Sequence, residues 1–335
     1  MSAPETQGAE PSSILVAIPT LNEEKHIAAT LTALMSDNPR MEAVKLVVAD
    51  GGSTDRTREI VAEFAARHPN IHLIDNPQKL QSAAVNKVVE DCAEPQHEIL
   101  VRVDAHSIYP PNYVPSVADS LIAHDVAALA TVMDSVGDSC FQRGSAWASH
   151  TKVGSGGSGH RGGTTSGYVD HGHHAGFRLD MWRKVGGYNV AFVANEDAEL
   201  DHRITQAGGK IWLDATIRLD YVMRDSLRKL ARQYWRYGIG RAQNILQHGM
   251  RPKLRQVVPP IFVLANGLGV LVSPLCPATL VLPGIYLLIL LAVSLQLLLK
   301  HRSLCALWAG PALIAMHHAW GAGFILQMLR GRGSA

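Results

Sequence analysis

The sequence predicts an α/β domain built on a mostly parallel sheet, followed by a basic amphipathic helix and C-terminal transmembrane helices. Three observations carry this. First, runs of β-branched and aliphatic residues alternate with helix-period segments through the first third of the chain, the pattern of a parallel sheet covered on both faces. Second, the net charge of +2 over 335 residues hides a division. Residues 1–225 hold 19 Lys/Arg against 29 Asp/Glu, whereas residues 226–335 hold 12 against none. Third, the 44 residues from Gln256 to Leu299 contain no Asp, Glu, Lys or Arg.

The elements follow in order. Residues 1–13 are polar, without the basic start and apolar run of a secretory signal, and are expected to form a disordered tail. Residues 14–19 (ILVAIP) read as the first strand, with Asn22 as helix N-cap and Glu23 and Glu24 favoured in the first turn by the helix dipole. Ile27, Leu31 and Leu34 then fall at helical spacing. Strands are predicted at 45–49, 71–74, 98–103, 126–133 and 211–219, and helices at 57–67, 82–91 and 196–206. The Gly-, Ser- and His-rich stretch 154–176 reads as a mobile loop, so His160, His171, His173 and His174 are expected to be loop histidines rather than zinc ligands. The α/β domain is expected to span 14–225. A basic amphipathic segment (226–256), suited to lying on anionic lipid, leads into a membrane domain (257–335) with two or three spans. Of these, Ala278–Leu299 would reach about 33 Å as a helix, enough to cross a bilayer. The four cysteines have no metal spacing and are expected to be reduced thiols.

Chemistry gathers where strands end. Ligands of open α/β sheets bind beyond the carboxyl ends of the strands, and Asp50, Asp55, Asp104 and Asp197 are predicted to lie there or at a helix start. Asp50 and Asp55, in VADGGSTD, are able to accept from a nucleoside or simply to hold a turn. Asp104 and His106, two apart on one extended edge, point the same way and suit Mn²⁺ or Mg²⁺. Glu196 and Asp197 open a helix; Asp197 is the candidate general base, and adjacent carboxylates raise one pKa by repulsion. In QYWRY (233–237), Arg236 either faces lipid or reaches a diphosphate. No GxGxxG follows a strand, which argues against a dinucleotide-binding domain, and nothing points to nucleic acid. The competing functions are a nucleotidyltransferase, which should carry a basic Gly-rich loop where PTLNEEKH is acidic, and a membrane-anchored sugar-nucleotide-binding scaffold without turnover.

Taken together, PTLNE (19–23), VADGGSTDRT (48–57), VRVDAH (101–106), FRLDMWRKVGGYN (177–189), NEDAEL (195–200) and QYWRY (233–237) resemble glycosyltransferase family 2, most of all its succinoglycan-biosynthesis branch. The resemblance implies a GT-A fold, a UDP-sugar donor (UDP-glucose for that branch) and an inverting single displacement. It also implies a polyprenyl-diphosphate-linked saccharide acceptor, a β-1,3 linkage, and a catalytic domain on the cytoplasmic face of a bacterial inner membrane. Pro19, Glu23, Asp50 and Asp55 match the family's nucleoside-binding segments. Asp104 matches its first metal-binding carboxylate, with His106 where a second Asp often sits, and Asp197, beside Glu196, matches its catalytic base. Gln233, Arg236 and Tyr237 match a substrate-binding QxxR-aromatic motif that ends in Trp in processive members; Tyr237 departs from that, against a processive polymerase.

Overall fold

The structure, a computed structural model, describes residues 8–35 and 38–331. Its elements run β1 (Ile14–Thr20), α1 (Ile27–Met35), β2 (Lys45–Asp50), α2 (Thr57–Arg67), β3 (Ile71–Asp75), α3 (Gln81–Cys92), β4 (Ile99–Arg102), β5 (Ser107–Ile108), α4 (Tyr113–Ala123) and β6 (Ala128–Val136). They continue with α5 (Cys140–Ser149), α6 (Lys152–Ser155), β7 (Gly167–Tyr168), β8 (His173–Arg178), α7 (Leu179–Val185), α8 (Glu196–Gln206) and β9 (Ile211–Val222). Four longer helices close the chain: α9 (Leu227–His248), α10 (Leu254–Val272), α11 (Val281–His301) and α12 (Ala309–Arg330).

The chain divides into two compact units. The first comprises residues 8–134, 162–190 and 196–221 and carries the sheet, ordered β3-β2-β1-β4-β8-β6-β9-β5 with β7 on β9. The run β3-β2-β1-β4 is parallel, and β8 enters antiparallel to both β4 and β6. Alternation along β1 explains why both faces are apolar. Val16 and Ile18 pack with Ile27 and Leu31 of α1 and Val117 of α4, while Leu15 and Ala17 pack with Val85 and Val88 of α3. Each such side chain, fully withdrawn from water, contributes roughly 1.5–3 kcal/mol.

Three expectations are corrected in this unit. Residues 8–13, expected in a loose tail, are built in: Ala9 is buried and its N–H donates to Asp119 Oδ1 at 2.7 Å, which Arg40 also holds. Residues 1–7 lie outside the described residues. Asn22 does not cap α1, which begins only at Ile27. It adopts φ 57°, a left-handed conformation that Asn tolerates, and accepts from the Thr54 N–H at 2.8 Å. The last part of the supposed mobile loop is β8, an interior strand of the sheet: Ala175 and Phe177 are buried within it, and His174 is fully buried because carboxylates surround it.

The second unit comprises residues 135–161, 191–195 and 222–331, so the predicted division at 225 misses two segments that leave the α/β domain. Long-range pairing is the reason. In the 135–161 segment, Cys140 is disulfide-bonded to Cys305, and a Cβ on Gly144 would come within 2.3 Å of the Cys305 carbonyl oxygen. The expectation of reduced thiols fails for this pair; Cys92 and Cys276 are free. Helices α9 and α12 cross at small residues: a Cβ on Gly238 would lie 2.0 Å from the Trp320 carbonyl oxygen, and one on Gly323 would lie 2.4 Å from that of Trp235. Among the described residues, three segments are long and apolar enough to cross a membrane: Leu254–Val272, Pro277–His301 and Leu304–Arg330. Leu282, Leu287, Leu288, Leu291 and Leu295 of α11 stand exposed, as suits a lipid-facing helix.

Candidate active site

The site grows from the end of β4. Ile99–Val101 are buried strand residues, and Arg102 closes the strand with its guanidinium almost wholly enclosed. Three carboxylates surround it. Its Nε donates to Asp104 Oδ1 at 3.1 Å, its Nη1 to Asp197 Oδ1 at 2.6 Å, and Glu196 Oε1 lies 3.7 Å from Nη1. Nη1 also donates to the Tyr188 hydroxyl at 2.9 Å, and that hydroxyl donates to Asp197 Oδ1 at 3.1 Å. A buried cation is costly unless paired; here the cluster supplies the pairing. Glu196 and Asp197 begin α8, and Asn195 before them takes φ 60°.

The pairing splits the two adjacent carboxylates. Burial would raise the Asp197 pKa, but Arg102 and then His174 reverse this and hold it well below the usual carboxylate range. Burial, joined by the Asp197 charge, pushes Glu196 up to about 7. One of the pair is thus a fixed anion while the other titrates near neutrality. For His174, burial opposes the charged form, yet Asp201 and Asp197 overcome it and raise the pKa to about 10. His173 goes the other way: burial lowers it to about 4 and keeps it neutral despite the nearby Asp104 charge.

Residues 15–186 match the family model "Glycosyl transferase family 2". The chain belongs to glycosyltransferase family 2. It is 38% identical over 318 residues to the succinoglycan biosynthesis protein ExoA of Rhizobium meliloti (strain 1021), covering 95% of this chain and 96% of that protein. It is also 33% identical over 95 residues to the dolichyl-phosphate beta-glucosyltransferase ALG5C of Trichomonas vaginalis, over 26% of this chain and 27% of that one. Among solved structures, the mannosyltransferase PcManGT from Pyrobaculum calidifontis, in complex with GDP-Man and Mn²⁺, superposes with a TM-score of 0.61 at 17% identity. That match covers 97% of this chain and 90% of the other, and shows the GT-A fold.

As a family 2 glycosyltransferase, the chain places its sequence-predicted residues unevenly. Asp104, Glu196 and Asp197 converge on Arg102. His106 Nδ1 meets Glu23 Oε1 at 3.0 Å. Asp50 is fully buried and saturated by the protein's own donors. Its Oδ1 accepts from the Gly52 and Ser53 N–H groups and Arg58, and its Oδ2 from Ser53 Oγ at 2.5 Å and from Thr20 Oγ1. Asp55 likewise accepts from Thr57 and from the Glu24 N–H, so the loop after β2 is laced to the loop that follows β1, the strand in which Pro19 is half-buried. Gln233, Arg236 and Tyr237 lie on α9 in the second unit, where Gln233 Nε2 donates to the Tyr237 hydroxyl at 2.9 Å and Arg236 is exposed.

Sequence reasoning missed Arg102, Tyr188, His173, His174 and Asp201 as site residues. Arg102 and Tyr188 stand inside family motifs (VRVDAH and FRLDMWRKVGGYN), but a buried pairing between residues 86 apart in sequence leaves no local signal. A divalent ion fits the donors present. One oxygen of Asp104 takes the bonds from Arg102 and Gln81, leaving Oδ2 outside them. Carboxylate and imidazole donors suit Mg²⁺ or Mn²⁺, which such sites hold with one or two carboxylates while substrate phosphates complete the shell. No three His, Cys, Asp or Glu side chains form a closed metal cage among the described residues.

Proposed function

We propose that the protein is an inverting, metal-dependent glycosyltransferase of exopolysaccharide assembly. In this reading it moves glucose from UDP-glucose to a polyprenyl-diphosphate-linked saccharide, in β-1,3 linkage, at the cytoplasmic face of a bacterial inner membrane. The observation that carries the reaction class is the split carboxylate pair at Arg102: an anion at the start of α8 held ready beside a titrating neighbour. The near full-length likeness to ExoA supports the pathway and the lipid-linked acceptor, and the three apolar segments support a membrane location.

In this mechanism Asp197 accepts the proton of the acceptor hydroxyl as it attacks the anomeric carbon. Arg102 and Tyr188 keep its carboxylate oriented toward that hydroxyl. Asp104, with His106, would hold Mn²⁺ or Mg²⁺. When bound, the ion neutralises the diphosphate and so stabilises it as a leaving group. The laced loops around Pro19, Glu23, Asp50 and Asp55 seat the nucleoside, Asp50 and Asp55 acting by fixing the loop shape. Gln233, Arg236 and Tyr237 of α9 serve the substrate as well.

The test is sugar transfer by detergent-solubilised enzyme supplied with UDP-glucose, Mn²⁺ or Mg²⁺ and a lipid-linked galactose. Asp197→Asn should cut turnover by about 10²–10⁴-fold. Transfer unchanged by that substitution would remove Asp197 from the base role. UDP binding without turnover on any acceptor would favour the scaffold reading instead.

A further inference from the structure

Behind Asp197 lies a chain of buried groups that the transfer reaction as described does not use. His174 Nδ1 is 3.3 Å from Asp197 Oδ1 and 3.1 Å from the Tyr188 hydroxyl. On the other edge of the same ring, Nε2 is 2.5 Å from Asp201 Oδ1, and Asp201 Oδ2 is 2.8 Å from His171 Nδ1. His174 and Asp201 are both fully buried. Asp197 and Asp201 are four apart on α8, one turn, so a single imidazole on β8 reaches both.

We infer that His174, clamped by Asp201, is a positioning residue for the catalytic carboxylate: it holds Asp197 as an oriented anion from the side opposite the acceptor. This rests on the base role of Asp197 proposed above. With both ring nitrogens facing carboxylate oxygens, the imidazole satisfies each only as a two-donor cation. Asp201 is what stabilises that cation in a fully buried place, since an unpaired buried charge is strongly disfavoured. The other titratable or charged groups around it are Tyr188, the Arg102 guanidinium that shares Tyr188 and Asp197 with it, and neutral His173 next to it in β8. The logic resembles that of other buried orienting pairs, where a carboxylate fixes the tautomer and direction of an imidazole, but with the polarity turned so that the imidazolium serves a carboxylate base. The donors that hold Asp50 and Asp55 in the nucleoside seat come from Thr20, Glu24, Gly52, Ser53, Thr57 and Arg58, none of which belongs to this chain of groups. Its effect should therefore fall on the proton transfer and leave donor binding alone.

The experiment compares pH profiles of kcat/KM for the full-length wild type, His174→Asn, Asp201→Asn and Asp197→Asn in the transfer assay. Removing the imidazolium should move the acid limb set by the Asp197–Glu196 pair upward by about one pH unit or more, because an opposite charge at this range shifts a carboxylate by roughly 1–3 units. The KM for UDP-glucose should stay unchanged. A merely structural role for His174 would lower activity without moving the limb. Asp197→Asn inactive with the limb unmoved in both other variants would overturn this inference alone; a fully active Asp197→Asn enzyme would overturn the base role and this inference with it. Should His174→Asn fail to fold, ¹⁵N NMR of histidine-labelled wild type decides directly: His174 doubly protonated at pH 8 is the expected result, and a neutral His174 overturns the proposal.

Discussion

Two acidic pairs stand at the loop ends of one sheet, and they are satisfied in opposite ways. Asp50 and Asp55 are satisfied mainly by backbone N–H groups and hydroxyls of nearby loops, which bind the chain to itself. Asp197 is satisfied mainly by charge, from Arg102 and His174, while Glu196 beside it stands 3.7 Å from the same guanidinium. Neutral donors lower a carboxylate's pKa and leave it as a structural staple. Opposing charges at a buried site instead split a pair of carboxylates, one pinned as an anion and one titrating near neutrality. A carboxylate beyond a strand end therefore does not announce its own role; the kind of partner does.

Substitutions can break this contrast, beginning with the largest effect. Arg102→Ala should leave three carboxylates around an uncompensated buried space and cost about 3–5 kcal/mol of stability. Thermal denaturation should show the loss, and added salt should restore little of it. Asp50→Asn should cost about 2–3 kcal/mol, since a buried carboxylate loses charge-assisted bonds. Its kcat on the surviving folded fraction should stay close to wild type while the KM for the donor rises.

Glu196→Gln should change stability less and pH dependence more. Below about 7 the Glu196 carboxyl is protonated; above it, its negative charge lies beside Asp197 and raises the proton affinity of that carboxylate. Wild-type kcat/KM should therefore climb through about 7, and the glutamine variant should lack that rise. A rise of equal size in both would assign the titration to another group. Asp55→Asn should have the smallest effect, because Asp55 is only half-buried: little change in melting temperature and a modest rise in donor KM.

The parts of the fold carried by local periodicity are legible in the sequence itself. Helices over 57–67 and 196–206 and the strands at 14–19, 45–49 and 71–74 fall within a residue of their observed ends, because a buried face at a fixed period is written into neighbouring residues. The apolar tail is legible for the same reason. What local pattern does not show depends on partners far along the chain. Asn22 reads as a cap only until Thr54 is placed beside it. Cys140 reads as a lone thiol until Cys305 meets it across 165 residues. His174 sits in a Gly- and His-rich stretch that reads as loop, yet Asp197 and Asp201 draw it into the sheet interior. Of the candidate site, Asp104, Glu196 and Asp197 are found by their place at strand and helix ends. Arg102, which gathers them, sits two residues before Asp104 inside the same motif and carries no local sign of its role.

The central claim is that Asp197 acts on the acceptor proton while the donor seat is built elsewhere. It is tested most directly by measuring UDP-glucose binding and single-turnover transfer on the same preparation of Asp197→Asn. The expected result is donor affinity within about twofold of wild type, as for an interaction made in the transition state, with transfer slowed by about 10²–10⁴-fold. Transfer at the wild-type rate, or a loss of activity explained entirely by lost donor binding, would contradict it.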